Sequence, residues 1–217
     1  MVPLIRTVGD RLRPLFSESS GDGGVAEEWS LEDWTGFEGS VEGAEVIGRS
    51  PLSYLAAAES VSEMFHKHMM NELARNGIEE PEPEEWYPLA GALAVLYELG
   101  EEYGEASLEN AGRHIPQHVE FPPGLSGVEE ALRSIDEAYH ANHRGGEIGS
   151  YEFHSERSGK ARVVCENPYP CGLDQGLIRG VANEFANSSV YVEETGDECR
   201  MDGGSHCEYV VKWAHRA

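Results

Sequence analysis

The chain has 217 residues, with 40 acidic and 16 basic side chains and a net charge of -24. So acidic a surface repels phosphate, which argues against nucleic acid and anionic membranes as partners. No apolar run reaches the roughly 18 residues that a membrane-spanning helix needs. The length supports one good-sized core, and four cysteines are too few for a disulfide scaffold.

The acids are spread along the whole chain, and "EEPEPEE" (Glu79 to Glu85) is the only short block. Such a coat suits the salty cytoplasm of a halophile, where salt screens the self-repulsion. The opening stretch "MVPLIRTVGDRLRPLF" is too short and too interrupted for a signal peptide. A soluble cytoplasmic protein is expected, and in that compartment thiols are reduced or metal-bound rather than paired.

Residues 1–16 carry Leu4, Ile5, Val8, Leu12 and Leu15 at the spacing of a short amphipathic helix, and "SESSGDGG" (Ser17 to Gly24) breaks it. Residues 25–50 hold Trp29, Trp34 and Phe37 among acids and glycines and read as an irregular docked segment. A long helix is predicted next, capped by Ser50, with Pro51 in its first turn and Gly77 at its end. A second, apolar almost all round, runs from about Pro88 to Tyr103 and should be central. "SLENAGRHIPQHV" gives a short helix that Pro116 ends. A further helix starts at Ser126, stops at Gly145 and Gly146, and presents Val128, Leu132, Ile135 and Tyr139. After Gly146 the period changes to two. Strands "IGSYEFHSE" and "KARVVCE" turn at Ser158–Gly159; then come the helix "GLDQGLIRGVANEF", the strand "SVYVEE", a Gly/Asp-rich turn and the strand "CEYVVKW". The fold class is therefore α+β: a helical first two-thirds packed on a β-β-α-β-β, antiparallel-rich sheet. Residues 1–50 form an N-terminal helix and docked segment, 51–146 the helical part and 147–217 the sheet part of one domain.

A strand–helix–strand connection within one sheet is normally a right-handed crossover between parallel strands. The carboxyl ends of "KARVVC" and "SVYVEE" then share a sheet edge, which brings Cys165 and Cys171 toward Cys199 and Cys207. Four thiolates at one point suit tetrahedral zinc, and His206 is an alternate ligand. Unliganded core thiols and a disulfide or redox pair are the other two readings; no C-x-x-C motif stands among them.

The pattern G-L-I-x-G-x-A-x-x-F over Gly176 to Phe185, the V-x-V strand at Val190 to Val192 and the closing G-x-H-x-x-x-V at Gly204 to Val210 resemble the haem-nitric-oxide/oxygen-binding (H-NOX) domains. The hairpin "CRMDGGSHCEYVV" also resembles the 4-vinyl-reductase-type small-molecule-binding domains, which share a superfamily with H-NOX and with TRAPP vesicle-tethering subunits. The resemblance covers about residues 86–213 and is strongest over 147–213. It implies an α+β ligand-binding fold with a helical subdomain on the sheet. It also places an axial haem histidine near the end of the 126–143 helix, where His140 and His143 lie. The Y-x-S-x-R motif that holds haem propionates in H-NOX domains is missing from "ARVVCENPYP" (Ala161 to Pro170), so haem is not the expected cofactor; zinc at the cysteines is the candidate, beside free thiols and a disulfide.

Other candidates fare worse. His66 and Met70 share a helix face as the edge of a core stripe, and Pro116 prevents His114 and His118 from ligating as a helical pair. Asp174 in the first turn of its helix is explained by the macrodipole. The resulting expectation is a non-enzymatic small-molecule-binding or regulatory domain, whose pocket is lined from "LAGALAVLYELG" and the 126–143 helix. Its partner would be an apolar small molecule or a protein, and the chain could form a homodimer. The alternatives are a thiol- or metal-dependent enzyme and a haem-based gas sensor.

Overall fold

The computed structural model describes residues 37, 39–186, 189–196 and 199–214. The helix expected over 1–16, the break at 17–24 and the two tryptophans Trp29 and Trp34 lie outside them. Among the described residues, no helix is long and apolar enough to cross a membrane.

The helical layer is more broken than its periodicity suggests. After a short strand β1 (Glu45–Ile47), helix α1 spans Arg49–Val61 and α2 spans Glu63–Arg75. Ser62 separates them: its backbone is extended (φ −169°, ψ 154°), and its hydroxyl accepts from the Phe65 N–H at 3.1 Å. A serine that caps well can start a new helix inside an unbroken apolar stripe. The expected cap at Ser50 is not one. Gly48 occupies that place without a side-chain bond, and Ser50 is buried inside α1. Position 48 itself admits only glycine, since a Cβ there would lie 1.9 Å from the Glu82 carbonyl oxygen.

Strand β2 (Trp86–Pro88) leads into α3 (Leu89–Tyr103), which is central as expected, with nine of its residues buried. Then come α4 (Glu105–His114), stopped by a 3-10 turn containing Pro116, and α5 (Val128–Arg133) and α6 (Ile135–Ala141), divided at Ser134. The stripe Val128, Leu132, Ile135 and Tyr139 is buried across that division. Strand β3 is only His143–Arg144. It pairs with β1, which also pairs with β2, so Val46 stands between Tyr87 and His143 in a three-stranded antiparallel sheet. This small sheet fixes where His143 leaves the helical layer.

The second sheet contains β4 (Ser150–Arg157), β5 (Lys160–Glu166), β6 (Val190–Glu194) and β7 (Cys207–Trp213), in the order β4-β5-β7-β6 with every neighbour antiparallel. Strands β5 and β6 both run against β7, hence parallel to each other, and their carboxyl ends meet at one edge as expected. Helix α7 (Cys171–Phe185) makes the crossover between them. It lies very close to α4: a Cβ on Gly112 would be 2.2 Å from the Leu173 carbonyl oxygen, and one on Gly176 would be 2.2 Å from that of Glu109. Two glycines thus let two backbones touch, which anchors the start of α7 and the cysteine it carries.

Candidate metal centre and adjoining cavity

Four elements end or begin at the shared sheet edge, and each delivers one ligand-type side chain. Cys171 is the first residue of α7, Glu194 the last of β6 and Cys207 the first of β7, while Cys199 precedes a 3-10 turn at Arg200–Asp202. Their donor atoms all lie within 4.8 Å of one another. The sulfur separations are 3.0 Å for Cys171–Cys207, 3.4 Å for Cys171–Cys199 and 3.7 Å for Cys199–Cys207. Tetrahedral zinc with Zn–S bonds of about 2.3 Å spaces its sulfurs about 3.8 Å apart, so a small movement would admit the ion.

The gathered set differs from the expected one. Cys165 stands opposite Cys207 in the β5–β7 register and is fully buried, but its sulfur is outside the group. Burial pushes its thiol well up, as befits an inert core group. His206 is also outside; its Nδ1 faces the Ser205 hydroxyl at 3.0 Å. The fourth donor is Glu194.

The thiols are electrically unequal. Cys207 is lowered to about 5, first by the hydrogen bond from the Cys171 thiol, with help from the Arg200 guanidinium and backbone N–H. That N–H lies 3.5 Å from the Cys207 sulfur. Cys171, the donor in the pair, is raised, and burial raises Cys199 to about 11. Burial also raises the Glu194 carboxyl. Cys207 is therefore the readiest of the three thiols to ionise, and a divalent ion would displace protons from the others.

Arg200 holds this edge together. Its guanidinium donates to Asp174 Oδ2 at 2.5 Å and to Asn167 Oδ1 at 2.9 Å. Asn167 Nδ2 donates to both Asp174 oxygens at 3.3 Å, and the Tyr151 hydroxyl donates to Oδ1 at 2.5 Å. The loop bearing Cys199 is thereby fastened to the first turn of α7 bearing Cys171. Asp174 is more than a dipole-matched helix acid: it is fully buried and meets a buried cation. Burial pushes its carboxyl up, and Arg200, Tyr151 and Asn167 oppose that.

A cavity of about 40 Å³ lies beside this network, with Tyr54, Tyr139, Tyr151, Tyr169, Asn142 and His143 in its wall. Residues of α6 line it as expected, but none of α3 does. The small residues of α3 serve packing: a Cβ on Gly91 would be 2.3 Å from the Asn76 carbonyl oxygen. His143 is buried and fully engaged. Its Nδ1 faces the Tyr139 carbonyl oxygen at 2.7 Å, so that nitrogen carries the hydrogen, and its Nε2 accepts from the Tyr169 hydroxyl at 2.7 Å. Burial lowers the imidazole to about 4, which keeps it neutral. His140 is half exposed on α6, with its Nδ1 2.9 Å from the Asp136 carbonyl oxygen, and does not reach the cavity.

The residues around His143 do not fit haem as arranged. A pocket for a large cofactor measures several hundred Å³ on a scale of about 300–1,000 Å³. This cavity is far smaller, no arginine or lysine lines it, and the lone pair of His143 Nε2 is taken.

No family model matches the chain, and no curated protein matches it. Solved structures do. The Fe(II) unliganded H-NOX protein of K. algicida aligns with a TM-score of 0.54 at 13% identity, over 78% of this chain and 97% of that one. The H-NOX protein of S. oneidensis in the Fe(II)NO state aligns with a TM-score of 0.56 at 12% identity, over 77% and 99%. The chain has the H-NOX fold.

Proposed function

We propose that this protein is a non-enzymatic small-molecule-binding sensory module on the H-NOX fold, braced by a Cys3Glu metal centre suited to zinc. The convergence of Cys171, Glu194, Cys199 and Cys207 within 4.8 Å carries this reading. Three thiolates favour zinc over hard cations, which prefer oxygen. Four protein donors make a closed site, and a closed site is structural rather than catalytic. The aromatic cavity with one neutral imidazole is the ligand position, and it suits a small, largely apolar molecule with one polar group. Ligand binding would shift the balance between conformers and so alter contacts with a partner.

A second reading, a haem-based gas sensor, is favoured by the likeness to Fe(II) H-NOX proteins and by His143 in the cavity wall. It requires Tyr54, Tyr169 and their neighbours to vacate the cavity. Elemental analysis of untagged protein, with an absorption spectrum before and after haem addition, separates the two. One zinc per chain with no Soret band supports the first. Iron with a Soret band that is lost in His143→Ala supports the second. Neither metal would remove the metal-centred part of both.

A further inference from the structure

The cavity and the metal centre share their walls. Tyr151 lines the cavity, and its hydroxyl reaches Asp174, the partner of Arg200. Tyr169 lines it too, two residues before the ligand Cys171, and its hydroxyl meets His143 Nε2 at 2.7 Å. The two routes meet at Asn167. Its Oδ1 accepts from the Tyr169 N–H at 2.9 Å and from Arg200 at 2.9 Å, while its Nδ2 donates to Asp174. Arg200 is next in sequence to Cys199, and its N–H touches the Cys207 sulfur. Asn167, Asp174, Tyr151 and Arg200 are all buried, so no water is at hand to absorb a change at one end.

We propose that metal occupancy at Cys171, Cys199, Cys207 and Glu194 sets the position of Tyr169 against His143, and thereby tunes the cavity for its ligand. Admitting an ion must spread sulfurs that now stand 3.0 and 3.4 Å apart. Cys171 then moves with the start of α7, and Cys199 moves with Arg200. Both displacements converge on Asn167 and the backbone of Tyr169. By reciprocity, a ligand that draws the Tyr169 hydroxyl away from His143 changes metal affinity by the same factor. This inference rests on the reading that the cluster binds metal.

The test uses the full chain, stripped with a chelator and titrated with zinc alone. Two quantities are followed: bound zinc per chain, and the ring nitrogen resonances of His143. The expected result is one zinc per chain, with the Nε2 resonance shifting in step and saturating at one equivalent. In Tyr169→Phe, which keeps the ring and removes the donor, zinc still binds but most of that shift is lost. Asn167→Ser, which breaks the junction, should weaken zinc binding by about 10–100-fold and, at saturating zinc, show less than half the shift. Zinc bound at one equivalent with an unmoved His143 would overturn the linkage and leave the metal reading intact. Wild-type-sized shifts in both variants would overturn the route through Asn167 and Tyr169. Failure to bind zinc at all would overturn both the linkage and the metal centre.

Discussion

The guanidinium of Arg200 donates to the Asp174 carboxylate at 2.5 Å, with the two residues only 2% and 0% exposed. Such a pair adds little net stability over a well-packed apolar replacement, yet removing one partner strands a buried charge. Arg200→Met should therefore cost about 3–5 kcal/mol. The double variant Asp174→Leu, Arg200→Met should recover part of that loss. Urea unfolding of the single and double variants in chelator measures the protein's own share, and repetition in zinc measures the share that acts through the metal.

The ligand set has its own signature. Cys199→Ser and Glu194→Gln should each weaken zinc binding by at least about tenfold, the lower limit seen even for outer-shell changes. Cys165→Ser should keep one zinc per chain, and lose only the about 1–3 kcal/mol that a buried, poorly partnered hydroxyl costs. Competition with a chromophoric chelator gives the affinities. Unchanged affinity in Glu194→Gln would remove the carboxylate from the ligand set.

His143 makes stability depend on pH. Its folded pKa of about 4 lies below the ordinary value of 6.5, so the unfolded chain binds the proton more readily. The stabilisation is complete above pH 6.5 and is lost as pH falls toward 4. Between pH 7 and pH 5 this one group should remove about 2 kcal/mol. Denaturant unfolding at the two values, in wild type and in His143→Phe, isolates it: the variant's difference should be smaller by that amount.

The α4–α7 contact is equally exacting. Gly176→Ala places a methyl 2.2 Å from the Glu109 carbonyl oxygen. The helices must part, at a cost of about 1–3 kcal/mol. Because Cys171 and Asp174 stand on the same helix as Gly176, the variant should also bind zinc more weakly. A thermal melt with and without zinc would report both effects.

Much of this architecture was legible in the residues. The change of period after Gly146 marked β4 and β5, the G-L-I run marked α7, and the crossover rule brought the ends of β5 and β6 together. That placed Cys171, Cys199 and Cys207 correctly at one edge. Glu194 was illegible because one acid among 40 carries no mark, and only its place at the end of β6 singles it out. Cys165 looked equivalent to the others, yet its cross-strand place opposite Cys207 leaves its sulfur outside the group. Strands of two or three residues are too short to show alternation, so β1, β2 and β3 left no periodic trace. The breaks at Ser62 and Ser134 hide inside continuous apolar stripes. The contact of His143 with Tyr169 joins two elements through side chains alone, which no local pattern encodes.

Strand β1 pairs with both β2 and β3, and each partner is separated from it by at least one packed helical pair. So few backbone bonds cannot repay the closing of two long loops by themselves. They gain their stability only once the helices between them have assembled, which makes this small sheet a late seam in folding. The ring of His143 enters the cavity wall from that seam. The cavity wall is therefore completed among the last contacts formed, and is among the first lost when the molecule opens partway.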